Sequence, residues 1–359
     1  MRAALALASR GLGSVWPNPA VGCVLVKDDV VVGRGWTQPG GRPHAETEAL
    51  GRAQAAARGA SAFVTLEPCN HSGKTPPCDE ALIAAGIARC VIAIEDPDAR
   101  VAGRGIARLK AAGVAVETGL CADAARELNA GYLMQRDQGR PLITVKIAGS
   151  LDGRIATHSG QSRWISGEAA RDLGHKLRAE TDAVMIGAGT ALSDEPRLTC
   201  RLPGLEARSP VRVVVDGRLR LPLTSPLVAE ARQVPTWIVT LSGVDRLRRA
   251  AYANCGVGMI DVAADADGRP SLVEAALALG ARGITRLLVE GGGRLIAALL
   301  RVRLIDRLIW FRAPMILGGD GIPAAAALGV ETLDQAPRFL RLSVQTVGED
   351  VVESYAVLA

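Results

Sequence analysis

The tripeptide His44-Ala45-Glu46, followed by Glu67-Pro68-Cys69 and then Pro76-Pro77-Cys78, constrains the fold of this chain more than any other feature. One imidazole and two thiolates supply three corners of a tetrahedral zinc site, so the fold must bring residues 44, 69 and 78 together. Three protein ligands leave the fourth corner to water, which is the arrangement of a catalytic zinc. Glu46, two residues past the imidazole on the first turn of an expected helix, can face that water without ligating the metal, and is the expected general acid and base. The order H-x-E, then P-C, then a second Cys is that of a hydrolytic deaminase acting on a ring carbon that bears an exocyclic amine. A closed structural site would need a fourth ligand, for which His71 is the candidate nearby.

Many base deaminases hold their two cysteines two residues apart, whereas eight residues, NHSGKTPP, separate Cys69 from Cys78. An enlarged loop beside the metal points to a larger or phosphorylated substrate. His71, Ser72, Lys74 and Thr75 on that loop can all hydrogen-bond to polar ring substituents or a phosphate. Lysine is scarce, with Lys27, Lys74, Lys110, Lys146 and Lys176 the full set, so Lys74 and Lys146, which lie inside motifs, stand out.

At 359 residues the chain has room for two cores, and 48% hydrophobic against 22% charged residues is the balance of a globular protein. The first third predicts a helix over 2–10, a hairpin over 20–26 and 29–36, a helix over 45–58 and a buried strand over 61–66. It continues with a helix over 78–85, a strand over 90–96, a helix over 104–112, a strand over 114–117 and a last helix over 121–136. Strands alternating with helices imply a layered α/β sheet. Periodicity stops in the polar stretch Arg136 to Pro141, which places a domain boundary near 141. Beyond it, LITVKIAGSLDG, DAVMIGAG, VRVVVDG, TWIVTL and RLLVEGGG are the strands of a second α/β domain. In LLVEGGGRLIAAL, a buried strand, a glycine turn and a helix follow one another, an arrangement whose helix N-terminus can receive a phosphate, although a turn requiring positive φ accounts for the glycines equally well.

The formal charge of +5 could suit nucleic acid, but the arginines are scattered and form no basic run. No apolar run reaches the length of a membrane span, and Arg2, Ser9 and Arg10 interrupt the opening segment, so a secretory signal is not expected. Seven cysteines at irregular spacing argue for metal ligands and buried thiols in a reducing, cytoplasmic setting.

The segments PNPAVG, HAE, TLEPCNHSGKTPPC and DPDARVAGRG, with KIAGSLDGRIAT, SRWIS, GAGTALSDEPRLTCR and VEGGG further on, closely resemble the bifunctional riboflavin-biosynthesis deaminase/reductase family over nearly the whole chain. The resemblance implies a cytidine-deaminase-like three-layer α/β/α domain over 1–141 and a dihydrofolate-reductase-like α/β domain over 142–359. It also implies one Zn²⁺ per chain at His44, Cys69 and Cys78, proton shuttling by Glu46, and substrate contacts from Asn18, His71 and Lys74. The family substrate is 2,5-diamino-6-(phosphoribosylamino)pyrimidinone, which loses its 2-amino group to water before NADPH reduces the ribosyl group to ribityl. For the reductase half the resemblance implies NADPH flanked by Ala148, Trp164, Thr190, Asp194, Gly217, Gly292 and Gly293. It implies a sugar-phosphate substrate faced by Ser162, Arg178, Leu198, Arg201 and Glu290, joined by Lys146. A small phosphorylated pyrimidine, a homo-oligomer, and neither nucleic acid nor membrane are the expected partners. Family members carry several residues ahead of the segment matching MRAALALA, so the first helix is expected to be short. Two rival readings are a monofunctional zinc deaminase of a nucleoside or RNA base with a non-catalytic second half, and a zinc-stabilised interaction module without turnover.

Overall fold

In the computed structural model, which describes residues 1–70, 76–98 and 101–358, the chain divides into two units, Met1–Gly139 and Arg140–Ala359. The first contains α1 (Arg2–Ala8), β1 (Gly22–Lys27), β2 (Val30–Trp36), α2 (Ala45–Ala53), β3 (Ser61–Val64), α3 (Cys78–Ala84), β4 (Arg89–Ile92), α4 (Arg104–Ala111), β5 (Ala115–Thr118), α5 (Ala122–Leu128) and α6 (Ala130–Gln138). Its sheet has the order β2-β1-β3-β4-β5; β1 runs antiparallel to β2 and β3, and β3, β4 and β5 are parallel. Cys23, Leu25, Val64, Leu66, Ile92 and Leu109 are among the side chains that fill the core.

Small residues set how closely the first helices lie on this sheet. α2 turns Ala45, Ala49 and Ala53 inward, and the strand beneath answers with Gly33 and Gly35. A Cβ at Gly35 would lie 2.1 Å from the Ala45 carbonyl oxygen, and one at Gly33 would lie 2.4 Å from that of Ala49. Such a close approach presses the start of α2, with His44 as its N-cap and Glu46 in its first turn, down onto the hairpin.

Several elements are shorter than the sequence expectation: the helix expected over 45–58 ends at Ala53, where Gln54 has φ of 49°, that over 2–10 ends at Ala8, and the strand expected over 61–66 ends at Val64. The strand expected over 90–96 ends at Ile92, and the helix expected over 121–136 is two helices broken at Asn129, whose φ of −98° and ψ of 14° interrupt the turn. Asparagine in a helix competes for the backbone with its own amide, and here the Asn129 amide bonds Ala20 across the unit.

The second unit contains β6 (Leu142–Gly149), β7 (Arg154–Ala156), α7 (Glu168–Ala179), β8 (Ala183–Gly187), α8 (Ala188–Asp194), β9 (Val211–Val215), α9 (Pro226–Ala229), β10 (Thr236–Leu241), α10 (Arg246–Asn254) and β11 (Gly258–Val262). It continues with α11 (Leu272–Ala281), β12 (Arg286–Val289), α12 (Gly293–Arg301), β13 (Arg307–Arg312), β14 (Ile322–Pro323), β15 (Phe339–Val347) and β16 (Asp350–Val357). The main sheet has the order β11-β10-β9-β8-β12-β6-β13-β16-β15 and is parallel from β11 to β13, with β16 and β15 added antiparallel. Strands covered on both faces read as unbroken Val and Ile runs, which is why β6, β8, β9 and β10 were legible. Buried Asp182 locks β12 beside β8 by accepting from Thr285 N and Oγ1 and from Arg286 N at 2.7, 2.7 and 2.9 Å. No helix among the described residues is long and apolar enough to cross a membrane.

Candidate metal centre and cofactor site

His44, Cys69 and Cys78 come from three different segments and meet. Their ligand atoms lie within 4.8 Å of one another, the one such group of three His, Cys, Asp or Glu side chains among the described residues. His44 Nδ1 stands 3.2 Å from Cys78 Sγ and 3.5 Å from Cys69 Sγ. With zinc–nitrogen bonds of about 2.0–2.1 Å and zinc–sulfur bonds of about 2.3 Å, the N–S edge of a tetrahedron is about 3.6 Å, so the observed spacing fits a zinc ion. His44 caps α2 and Cys78 opens α3, so both ligands sit at helix N-termini, where anionic groups are favoured.

The thiols are already biased towards ligation. A hydrogen bond from the Cys78 thiol, together with those from His44 and from the Cys78 backbone N–H at 3.4 Å, holds the Cys69 thiol down at about 4. The same Cys78–Cys69 bond, followed by burial, pushes the Cys78 thiol up, because the two sulfurs share one negative charge. A dication would take both as thiolates.

Glu46 is 3% exposed, and burial, followed by the Cys69 charge, pushes its carboxyl up to about 7. A bound cation would draw it down again. A buried carboxyl beside the ligand thiols and outside the ligand set is equipped to take and return a proton. Asn18 lies against the segment that leads into His44, since a Cβ at Gly41 would stand 2.0 Å from Asn18 Nδ2. His71 and Lys74 fall outside the described residues.

In the second unit, Glu290 follows the end of β12 and is gripped by Arg178 of α7. Arg178 Nε and Nη2 donate to its carboxylate at 2.6 and 2.7 Å, and Nη1 donates to the Thr199 carbonyl at 3.0 Å. Burial would raise the Glu290 carboxyl, but the Arg178 and Lys146 charges outweigh it and hold it at about 2. Burial also lowers Lys146. Arg201 feels the charges of Arg178 and Glu290. Two of the expected substrate contacts, Arg178 and Glu290, therefore bind each other. Leu198 is buried with φ of 55°, and Ser162 is half-buried.

Gly292 N donates to Thr190 Oγ1 at 3.1 Å, which joins two residues expected at the cofactor. Neither Gly292 nor Gly293 has a positive φ. Space is their reason: a Cβ at Gly293 would lie 2.6 Å from the Pro323 carbonyl oxygen, and one at Gly292 would lie 3.2 Å from Thr190 Oγ1. Gly292 is the N-cap of α12, whose first N–H groups have no partner within the helix and suit a pyrophosphate. Gly217 lines a cavity of about 480 Å³ at the carboxyl ends of β9, β10 and β11, with Arg218, Leu241, Ser242 and Gly243. That is where open parallel sheets take their ligands. Trp164 is 65% exposed with Arg171 stacked 4.7 Å from its ring centroid, Asp194 closes α8, and Ala148 lies half-buried on β6. The sequence reading did not single out Arg218, Ser242 or His175, the last within the influence of Arg178, Arg201 and Glu290; each is a common residue type outside any scarce pattern.

Residues 1–94 match the family model of the cytidine and deoxycytidylate deaminase zinc-binding region, and residues 141–353 match that of the RibD C-terminal domain. Fold, metal cluster and both matches define the class: a zinc-binding deaminase domain and an NADPH-using reductase domain in one polypeptide. The chain is 40% identical to riboflavin biosynthesis protein RibD of Escherichia coli (strain K12), over 98% of this chain and 96% of that one. It is 38% identical to RibD of Bacillus amyloliquefaciens, over 98% and 94%. Of solved structures, Acinetobacter baumannii RibD, form 1, superposes with a TM-score of 0.89 at 38% identity over 100% and 98% of the two chains. A diaminohydroxyphosphoribosylaminopyrimidine deaminase/5-amino-6-(5-phosphoribosylamino)uracil reductase from Thermotoga maritima gives 0.87 at 32% identity over 100% and 97%. The chain belongs to the RibD family and is a bifunctional deaminase and reductase of riboflavin biosynthesis. A nucleoside or RNA deaminase with a non-catalytic second half is not favoured, because the reductase-domain match spans residues 141–353.

Proposed function

We propose that residues 1–141 hydrolyse 2,5-diamino-6-(5-phosphoribosylamino)pyrimidin-4(3H)-one to 5-amino-6-(5-phosphoribosylamino)uracil, and that residues 142–359 reduce the ribosyl group of that product to ribityl. The observation that carries the first half is the spacing of His44 Nδ1 from the two sulfurs, 3.2 and 3.5 Å, beside a buried carboxyl. His44, Cys69 and Cys78 would hold the zinc ion, which when bound would supply Lewis acidity. Glu46 accepts a proton from the attacking water at a carboxylate oxygen and delivers it to the departing 2-amino nitrogen, so that ammonia leaves. Asn18, His71 and Lys74 orient the ring and its phosphorylated substituent.

NADPH supplies the hydride when bound, and the protein supplies position and charge. Gly292, Gly293 and Thr190 would hold the pyrophosphate at the start of α12, and Ala148, Trp164, Asp194 and Gly217 would flank the rest of the cofactor. Around Glu290 stand the cations Lys146, Arg178 and Arg201. Their excess of positive charge suits the sugar phosphate, which Ser162 and Leu198 border. Seven free cysteines support a reducing, cytoplasmic setting. A small phosphorylated pyrimidine, rather than nucleic acid, is the partner that both sites suit. β15 is an exposed edge strand presenting Leu340, Leu342 and Val344, and a second copy of the chain is the cover that a homo-oligomer would provide. A coupled assay with the diaminopyrimidinone phosphate tests the function: one ammonia and one oxidised NADPH per substrate are expected. Ammonia release without NADPH oxidation would reject the second step.

A further inference from the structure

Two loops lie against the segments that lead into the ligands His44 and Cys69, and both are fastened to the region of α5 and α6. Asn18 to Ala20 form one wall, against the segment leading into His44, where Gly41 has no room for a Cβ beside Asn18. The other wall, Asp96 to Asp98 with Gly103 to Ile106, lies against the segment leading into Cys69. A Cβ at Gly105 would stand 2.2 Å from the Pro68 carbonyl oxygen. The buried Glu67 carboxylate accepts from Asp96 N, Gly103 N and Ile106 N at 3.2, 3.0 and 3.1 Å.

Asn129, 2% exposed at the break between α5 and α6, closes a two-bond clasp on Ala20. Its Oδ1 accepts from Ala20 N at 3.0 Å and its Nδ2 donates to the Ala20 carbonyl at 3.1 Å. One turn further on, the Tyr132 hydroxyl, 5% exposed, donates to Asp96 Oδ1 at 3.1 Å. That oxygen also accepts from Asp98 N at 2.9 Å. Arg136 follows, 3.7 Å from Asp98 Oδ2. Positions 129, 132 and 136 follow the i, i+3, i+7 spacing of one helix face. One face thus reaches both walls, from a segment that lies between the two regions matched by family models.

We propose that Asn129 and Tyr132 are positioning residues of the deamination: they hold the Asn18–Ala20 and Asp96–Asp98 loops at a fixed separation across the metal cluster, so that the substrate ring meets walls already in place. Buried polar bonds suit this task because each is directional and expensive to leave unmade. Walls set before binding spare the substrate the ordering entropy. The inference rests on reading His44, Cys69, Cys78 and Glu46 as the deaminase centre.

Tyr132→Phe removes one hydroxyl and keeps the ring in the core. Asn129→Asp keeps the acceptor for Ala20 N and removes the donor to its carbonyl. On the full zinc-loaded chain, ammonia release from the diaminopyrimidinone phosphate is measured with zinc content and NADPH oxidation in the same preparations. Each variant is expected to keep its zinc and its NADPH oxidation on added deaminated product while KM for ammonia release rises about tenfold, the scale of one lost buried hydrogen bond, with a smaller change in kcat. A KM within about twofold of wild type in both variants overturns the proposal. So does a loss of zinc with a matching fall in kcat, which would reduce both residues to structural support. Glu46→Gln run alongside separates the two readings. If it releases ammonia at the normal rate, the centre is misassigned and the clasp falls with it; if it is inactive while Tyr132→Phe and Asn129→Asp are normal, the centre stands and the clasp alone fails.

Discussion

Replacing Glu290 with glutamine tests how the reductase site is charged. The carboxylate and Arg178 are 12% and 15% exposed and meet at 2.6 Å, with Lys146 the next cation. Burial alone would push the carboxyl above its ordinary 4.5, yet the two cations hold it at about 2. At roughly 1.4 kcal/mol per pH unit, that displacement is worth about 3 kcal/mol. An acid depressed on folding contributes stability that is fully present above its unfolded value and is lost as pH falls towards its folded value. The window here runs from about pH 5 down to about 2. Glutamine keeps the shape but leaves Arg178 and Lys146 buried without their counter-charge, a loss that measures about 3–5 kcal/mol elsewhere. For a domain of this size the melting temperature should fall by about 6–20 °C at pH 7. Calorimetry of the full chain at stepped pH reads this directly, and the gap between variant and wild type should narrow below about pH 5, where the carboxyl of the unfolded wild-type chain begins to take up a proton while the folded one stays ionised. NADPH oxidation should fall while ammonia release persists. A variant that melts within about 2 °C of wild type at pH 7, or a gap that widens on acidification, refutes the reasoning.

Glu46→Gln should keep zinc and fold yet lose about 10²-fold or more in ammonia release, with NADPH oxidation on added deaminated product untouched; normal turnover would remove Glu46 from the proton path. Cys69→Ser, or treatment with a chelator, should lower zinc content and abolish ammonia release, while reduction of added deaminated product continues; retained deamination in metal-free protein would end the zinc reading. Arg218→Ala, at the cavity that Gly217 lines, should raise KM for NADPH about tenfold and leave KM for NADH nearly unchanged, as expected of a guanidinium that meets a phosphate. Equal effects on both cofactors would place Arg218 elsewhere than at the 2′-phosphate.

Much of this protein was legible because scarce residue types stood at telling places. His44, Cys69, Cys78 and Glu46 could be picked out before any fold was known, since few chemistries use that set in that order. Strands β6, β8, β9, β10 and β12 were legible because a strand buried on both faces is a local run of Val, Ile and Leu, and the glycine turn before α12 because glycine is chemically distinct. The sequence alone thus determined the metal chemistry, the α/β class and the division into two parts.

Only the tertiary structure decided what depends on partners far apart in the chain. Strand β12 enters between β8 and β6 because Asp182 meets Thr285 and Arg286 there, a pairing with no local signal. Helix periodicity ran straight through Asn129, yet the helix breaks where its amide finds Ala20. Arg178 and Glu290 each looked ready for a ligand and instead hold one another. Gly293 was ambiguous between turn conformation and another role until the Pro323 carbonyl came into view. Residue type is a property of one position, whereas sheet order, ion pairing and steric contact belong to pairs of distant positions and exist only once the chain has closed on itself.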